Sequence, residues 1–244
     1  MKTSNHLLRR LTAALLAAVL ALSIALPVFA SDDGDTIYIN SVSDLLSLAR
    51  NCAYDQWSVG KTVILQKDLS LEGMLWEPIP SFSGQFKGNG HTISDLTITG
   101  QYSPAGLFGI VEEQGSIESL SVRGVVSVSD SADTTTGGIA GVNHGTLINC
   151  QFTGVVTGDS EVGGIVGRNE SEGTIDHSTA RAIVTGKSST GGIAGYNLGA
   201  ITGCTNVGSI NTEYPEASLD TDGFTAKMVD YINNKMAAAN DLSL

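Results

Sequence analysis

Four short blocks of one shape recur along this chain: Gly106-Leu107-Phe108-Gly109, Gly138-Ile139-Ala140-Gly141, Gly164-Ile165-Val166-Gly167 and Gly192-Ile193-Ala194-Gly195. Their starts lie 32, 26 and 28 residues apart. In the last three, the closing glycine is followed by any residue and then by asparagine, at Asn143, Asn169 and Asn197. A period of this size means stacked units, because one such unit cannot bury its own apolar face and needs a neighbour to do so.

A second block accompanies the first. Ile93, Ile117, Leu147, Ile175 and Ile201 align as its opening position. Leu96, Leu120, Cys150, Ser178 and Cys204 come three residues later, then Ile98, Val122, Phe152, Ala180 and Asn206 two beyond. Gly100, Gly124, Gly154, Ala182 and Gly208 mark a bend, and Val126, Val156, Val184 and Ile210 follow it in the last four units. Apolar positions at alternate residues, rich in β-branched side chains and punctuated by glycine, read as short half-buried strands. Glycine is abundant, 29 of 244 residues, about 12% against a usual ~7%, which fits many tight corners. The expected fold is therefore all-β: a right-handed single-stranded parallel β-helix with a short N-terminal capping helix and a C-terminal helix.

The ends are read separately. Lys2, Arg9 and Arg10 precede the apolar run Leu11–Leu26, and Val28-Phe29-Ala30 supplies a small-residue exit. That is a signal peptide over 1–30 rather than a membrane anchor. Residues 31–60 are expected to form an N-terminal cap, with a strand at Thr36–Asn40 and a helix opened by Ser41-Val42-Ser43-Asp44. Its apolar face is Val42, Leu45, Leu46, Ala49 and Cys52. The β-helix covers 61–212, starting with a strand near Lys61–Gln66. Residues 213–244 form a linker and a helix near 222–239, with Phe224, Met228, Tyr231 and Ile232 as its apolar stripe.

The formal charge is −12, and removing Lys2, Arg9 and Arg10 takes the mature chain to −15. Like charge makes nucleic acid and anionic membrane poor partners. Only three cysteines occur, Cys52, Cys150 and Cys204, too few for a disulfide scaffold. Cys150 and Cys204 share a register two coils apart, or ~9.6 Å at the usual strand spacing. A disulfide needs its Cα atoms within about 7 Å, so both thiols are expected to be free and to face inward.

On these residues the chain resembles the GLUG-motif repeat of bacterial surface and secreted proteins. The Gly-Leu-Phe-Gly and Gly-Ile-Ala-Gly blocks match the motif's opening, and Gly145–Cys150 and Gly199–Cys204 match its Gly-x-Ile-x-x-Cys segment. Trp76-Glu77-Pro78-Ile79 and Phe86 to Ile93 resemble the lead-in such proteins carry. The resemblance spans roughly Lys61 to Thr212 and implies a β-helical architecture. Similar repeats accompany immunoglobulin-A peptidases and adhesins without being the peptidase themselves. Ser178 and Ala182 depart from the usual cysteine and glycine.

Catalytic motifs are missing from the sequence. There is no HExxH, and Gly158-Asp159-Ser160 and Gly88-Asn89-Gly90 read as turns. No metal or cofactor site is expected: His144 and His177 fall in different registers. The corner carboxylates Asp130, Asp133, Asp159, Glu161, Glu170 and Glu172 are the only grouping that a polysaccharide-active β-helix would use. The candidate ligand-binding residues are instead an outward polar row, Thr97, Ser121, Gln151, Thr179 and Thr205, with Arg168 and Tyr196 in a second row beside Val142. The function read from this is an exported, secreted or cell-surface binding module of adhesion type, contacting extracellular glycan or protein. A polysaccharide-active enzyme and a structural accessory module stand as alternatives. N-terminal sequencing of the protein recovered outside cells is expected to begin at Ser31; recovery with Met1 intact overturns the signal-peptide reading.

Overall fold

The computed structural model describes residues 35–54, 56–128 and 134–211. The signal peptide expected at 1–30, Asp130 and Asp133, and the linker and helix expected at 213–244 lie outside these residues. The chain divides into Met1–Asp35 and a unit beginning at Thr36, and the description that follows concerns the second.

That unit is a parallel β-solenoid of about six turns. Each full turn visits the same faces in order, and every strand pairs with its equivalent one turn away. Face A stacks seven strands: β1 (Thr36–Ile39), β2 (Thr62–Leu65), β5 (Gln85–Lys87), β8 (Ser116–Glu118), β12 (Thr146–Ile148), β16 (Thr174–Asp176) and β20 (Ala200–Thr202). Face B stacks β3 (Leu69–Ser70), β6 (Thr92–Gly100), β9 (Ser121–Val128), β13 (Gln151–Thr157) and β17 (Thr179–Thr185), with β21 (Thr205–Asn206) and β22 (Ser209–Ile210) both on β17. Face C holds β4 (Ile79–Phe82), β7 (Phe108–Val111), β11 (Ala140–Asn143), β15 (Val166–Asn169) and β19 (Ala194–Asn197). A small face D holds β10 (Thr136–Gly137), β14 (Val162–Gly163) and β18 (Thr190–Gly191).

Register makes the core. Ile117, Leu147, Ile175 and Ile201 are successive partners on face A, as the repeat predicts. Val63 and Phe86 extend that column toward the start of the chain. On face B, Val122, Phe152, Ala180 and Asn206 form a second column, and Val126, Val156, Val184 and Ile210 a third. Phe82, Phe86 and Phe108 meet where faces A and C converge, with ring centroids 5.4–6.3 Å apart; tilted and edge-on rings of this kind add to burial alone. Trp76 of the lead-in is buried and donates its indole N–H to the Leu107 carbonyl at 3.1 Å.

The first repeat unit sits differently from the sequence alignment. Phe86, not Ile93, partners Ile117, while Ile93 partners Val122. Leu96 lies against Gly124, Ile98 against Val126 and Gly100 against Val128. Two insertions cause the slip. Gly88 to His91 turn the corner with four residues where Ser119 and Leu120 use two, and a bulge follows between Ile93 and Leu96. Asp95, at φ 60°, occupies the bulge. Its carboxylate accepts from the Ser70 and Ser94 hydroxyls at 2.6 and 2.8 Å, bonds that hold it below the usual carboxylate range. An extra residue of this kind is the definition of a bulge, and nothing in the apolar pattern announces it.

Helix α1 (Val42–Asn51) begins at Ser41, whose hydroxyl accepts from the Asp44 N–H at 3.2 Å. This N-cap satisfies one of the donors a helix start leaves free. Leu45, Leu48 and Cys52 are buried, with Val42, Leu46 and Ala49 packed against the core. The expected face is correct and gains Leu48. Strand β1 pairs in register with β2, so it is the first rung of face A rather than part of a separate cap.

Glycine is required where side chains or backbones of adjacent turns touch. A Cβ on Gly138 would enter the ring of Phe152, so Gly138→Ala is expected to cost about 1–3 kcal/mol through overpacking. Leu147→Ala empties the middle of the face A column and is expected to cost about 2–5 kcal/mol. Thr146→Ala, on the outward side of the same strand, should stay within about 0.5 kcal/mol. Denaturant unfolding of the three variants measures this ordering.

Candidate functional site

The outward side of face B carries the polar row expected from the sequence, with one member replaced. Ser121, Gln151, Thr179 and Thr205 are in register, but the residue below Ser121 is Thr92, not Thr97. Thr97 belongs to another row, level with Val125 and followed by Val155, Ile183 and Ser209. The bulge at Asp95 and the long corner before it are the reason. The corrected row is a ladder of hydroxyl and amide groups at the ~4.8 Å strand spacing, half-buried except for the exposed Thr205. Gln151 donates to Thr153 at 3.3 Å. Thr92's own N–H is taken by Asp68 at 2.9 Å, which helps keep that carboxylate below its usual range.

The second row, on face C, is Ser81, Ile110, Val142, Arg168 and Tyr196. Arg168 is heavily engaged there. Its guanidinium donates to Glu161 at 2.9 Å and to Glu170 at 2.7 Å, and it lies 5.0 Å from the centre of the Tyr196 ring. Glu161 also accepts from the Thr135 hydroxyl at 3.2 Å. The two carboxylates raise the Arg168 pKa against the lowering effect of its partial burial. A ligand anion would have to displace both; Arg168 reaches the next turn through Tyr196, which is 39% exposed and the accessible member of the pair.

The corner carboxylates are committed in the same way. Asp159 pairs with Lys187 at 2.6 Å. Glu172 accepts from the Ser171 hydroxyl at 2.6 Å, which lowers its pKa. Among the described residues, no group of His, Cys, Asp and Glu is arranged to hold a metal ion. A shallow cleft of ≈ 310 Å³ lies elsewhere, lined by Gln56, Val59, Ser81, Ser83, Glu112, Glu113 and Gln114. Ser81 donates to Glu112 across it at 2.6 Å.

Two inward features decide how the turns hold together. Cys52, Cys150 and Cys204 are free. Ser178 lies between the last two: its hydroxyl accepts from the Cys150 N–H at 3.1 Å, and its own N–H reaches Cys204 Sγ at 3.4 Å. Burial pushes the Cys150 thiol up to about 12. It is an uncharged filler.

The recurring asparagines, visible as a pattern but without an assigned role, form a ladder that is buried at Asn143 and Asn169 and exposed at Asn197. Asn143 Nδ2 donates to Asn169 Oδ1 at 2.7 Å, and Asn169 Nδ2 donates to Asn197 Oδ1 at 2.8 Å. Each amide also donates to a nearby glycine carbonyl, of Gly145, Gly173 and Gly199 at 3.1–3.2 Å. Asn143 Oδ1 is buried with no partner, because the residue below it is Val111. The signal that identifies such a ladder is the invariant spacing of an amide at one inward corner of each turn.

Comparison with known proteins agrees with the repeat. Residues 158–185 match the GLUG motif, so the resemblance drawn from the sequence is shown for that unit. Halomucin of Haloquadratum walsbyi is 32% identical over 155 residues, covering 58% of this chain and 2% of halomucin. A protein of Evansella cellulosilytica, named as a Gly-rich membrane protein, is 29% identical over 137 residues, covering 41% of this chain and 16% of the relative. The chain thus spans a small fraction of either relative. Among solved structures, a protein of Bacteroides ovatus assigned as an immunoglobulin A1 protease aligns with TM-score 0.41 and 16% identity, over 75% of this chain and 79% of that one.

Asn169→Leu is expected to destabilise the fold by about 1–3 kcal/mol through the buried amide of Asn143 that it strands, with little added at the exposed Asn197. Replacing all three asparagines by leucine should recover part of that loss, since no polar partner is then left behind. Equilibrium unfolding of the single and triple variants separates a ladder from three independent side chains.

Proposed function

We propose that this chain is an exported, non-catalytic module that works outside the cell by contacting glycan or protein with the outward side of face B. The observation that carries this reading is a contrast between surfaces. Arg168, Glu161 and Glu170 are consumed in ion pairs within one turn, and Asp159 and Lys187 in a pair that ties adjacent turns. The row Thr92, Ser121, Gln151, Thr179 and Thr205 runs unbroken across five turns.

Such a row suits an extended partner. Hydroxyls both donate and accept, and a side-chain amide does both at once, so the row can meet sugar hydroxyls or a peptide backbone without a charge having to be desolvated. Strands that repeat at a fixed spacing present the same group again and again, which favours a polymer over a compact ligand. The setting outside the cell rests on the signal-peptide reading of residues 1–30 and agrees with a relative named for a membrane. The catalytic alternative draws no support from Asp159, Glu161, Glu170 and Glu172, whose partners are already in place.

A glycan array and extracellular-protein panel probed with the chain from Ser31 onward tests the proposal. Binding is expected to fall about tenfold or more in Thr179→Glu and Ser121→Glu, since each places an unpaired charge in the contact, while circular dichroism and melting temperature stay close to those of the parent. Unchanged binding in both variants removes face B from the interaction. A blank panel at high protein concentration favours the structural accessory role, and new reducing ends from a uronic-acid polymer would establish an enzyme instead.

A further inference from the structure

The two ends of the stack are finished differently. At the start, α1 packs onto the core and buries Leu45 and Leu48. At the other end, no residue from 185 to 211 is buried. Ile201 and Ile210 continue inward columns but are 38% and 40% exposed, whereas Ile175 and Val184 beneath them are fully buried. Leu198 and Val207 are exposed beside them. The strands β18, β19, β20, β21 and β22 pair on one side only, so the last turn presents open edges on all four faces. Such edges are ordinarily guarded by charged side chains or proline, because an unguarded one pairs with whatever strand it meets. Residues 188–212 contain no Asp, Glu, Lys, Arg, His or Pro. The turn beneath carries Arg168, Glu170, Glu172, Asp176 and Arg181.

We propose that this last turn is an interface whose occupant is the last turn of a second copy of the chain. An open turn is completed by strands at the same spacing with apolar side chains at the same inward positions, and another turn of this repeat supplies both. Because α1 occupies the opposite end, the open end of one copy meets the open end of the other about a two-fold axis. A contact of that kind uses the same surface on both partners, so it closes at two and does not grow into a filament. Charge favours the same place. The formal charge is −12, so two copies repel one another, and an uncharged turn is where they approach with least repulsion. The pair carries the face B row twice, and its formation does not depend on what that row binds.

Analytical ultracentrifugation of the chain from Ser31 onward, over a dilution series, tests this. A monomer–dimer equilibrium is expected, with its dissociation constant rising about tenfold or more in Ile201→Lys and in Val207→Lys, since each places an unpaired charge in the contact. Tyr38→Lys, at an exposed position of β1 near the other end, should leave it unchanged. Hydrogen exchange on the parent chain adds a readout that needs no variant. Amides of β19, β20 and β21 are expected to exchange more slowly in the concentrated sample than after dilution, while those of β1 and β2 stay the same. A monomer at every concentration overturns the proposal, and so does a dimer that persists in both last-turn variants or dissociates in Tyr38→Lys. Assemblies that lengthen with concentration overturn the two-fold contact.

Discussion

Parallel strands of two to nine residues have no stability of their own, and the solenoid is built from them. Each interior strand of face A pairs with its equivalents one turn away on both sides, so an inner turn is held between two others in register. This requirement governs the rest. It aligns Phe86, Ile117, Leu147 and Ile175 into one column, because strands that share a register also share the identity of their inward positions. It also explains the glycines at the corners: Gly138 lets the ring of Phe152 lie against the backbone, and Gly154, at φ 149°, approaches Gly124 more closely than any side chain would allow.

Much of this was legible in the residues. The aliphatic columns from Ile117 onward, the capped helix at Ser41 and the free inward cysteines all follow from spacing, since alternation and period act on local geometry. The misplaced first unit shows the limit. Ile93, Leu96, Ile98 and Gly100 imitate the apolar pattern of Ile117, Leu120, Val122 and Gly124, and only the length of the Gly88–His91 corner and the bulge at Asp95 separate them. Those depend on backbone conformation and on Ser70, a residue on the preceding turn, neither of which a linear pattern displays. Thr97 was drawn into the polar row by the same imitation.

The surface was less legible than the core. Arg168 and Tyr196 look like contact residues by type, but whether a charged side chain is available depends on its neighbours in space. Glu161 and Glu170 come from two different corners and meet at Arg168 only because the turns bring them there. Glu161, Glu170, Asp159 and Glu172 are each held by a neighbouring side chain.

The asparagine ladder has a direction. Each amide gives its hydrogen to the asparagine of the following turn and takes one from the turn before, so the stack is polar along its length, like a row of arrows. Val111 supplies no donor at its tail, and at its head the second amide hydrogen of Asn197 has no acceptor among the described residues. A turn duplicated within the stack would meet a complementary group on both sides and disturb nothing beyond its neighbours. Length is thereby uncoupled from the stability of any one turn, and a molecule made this way can be lengthened by copying its middle.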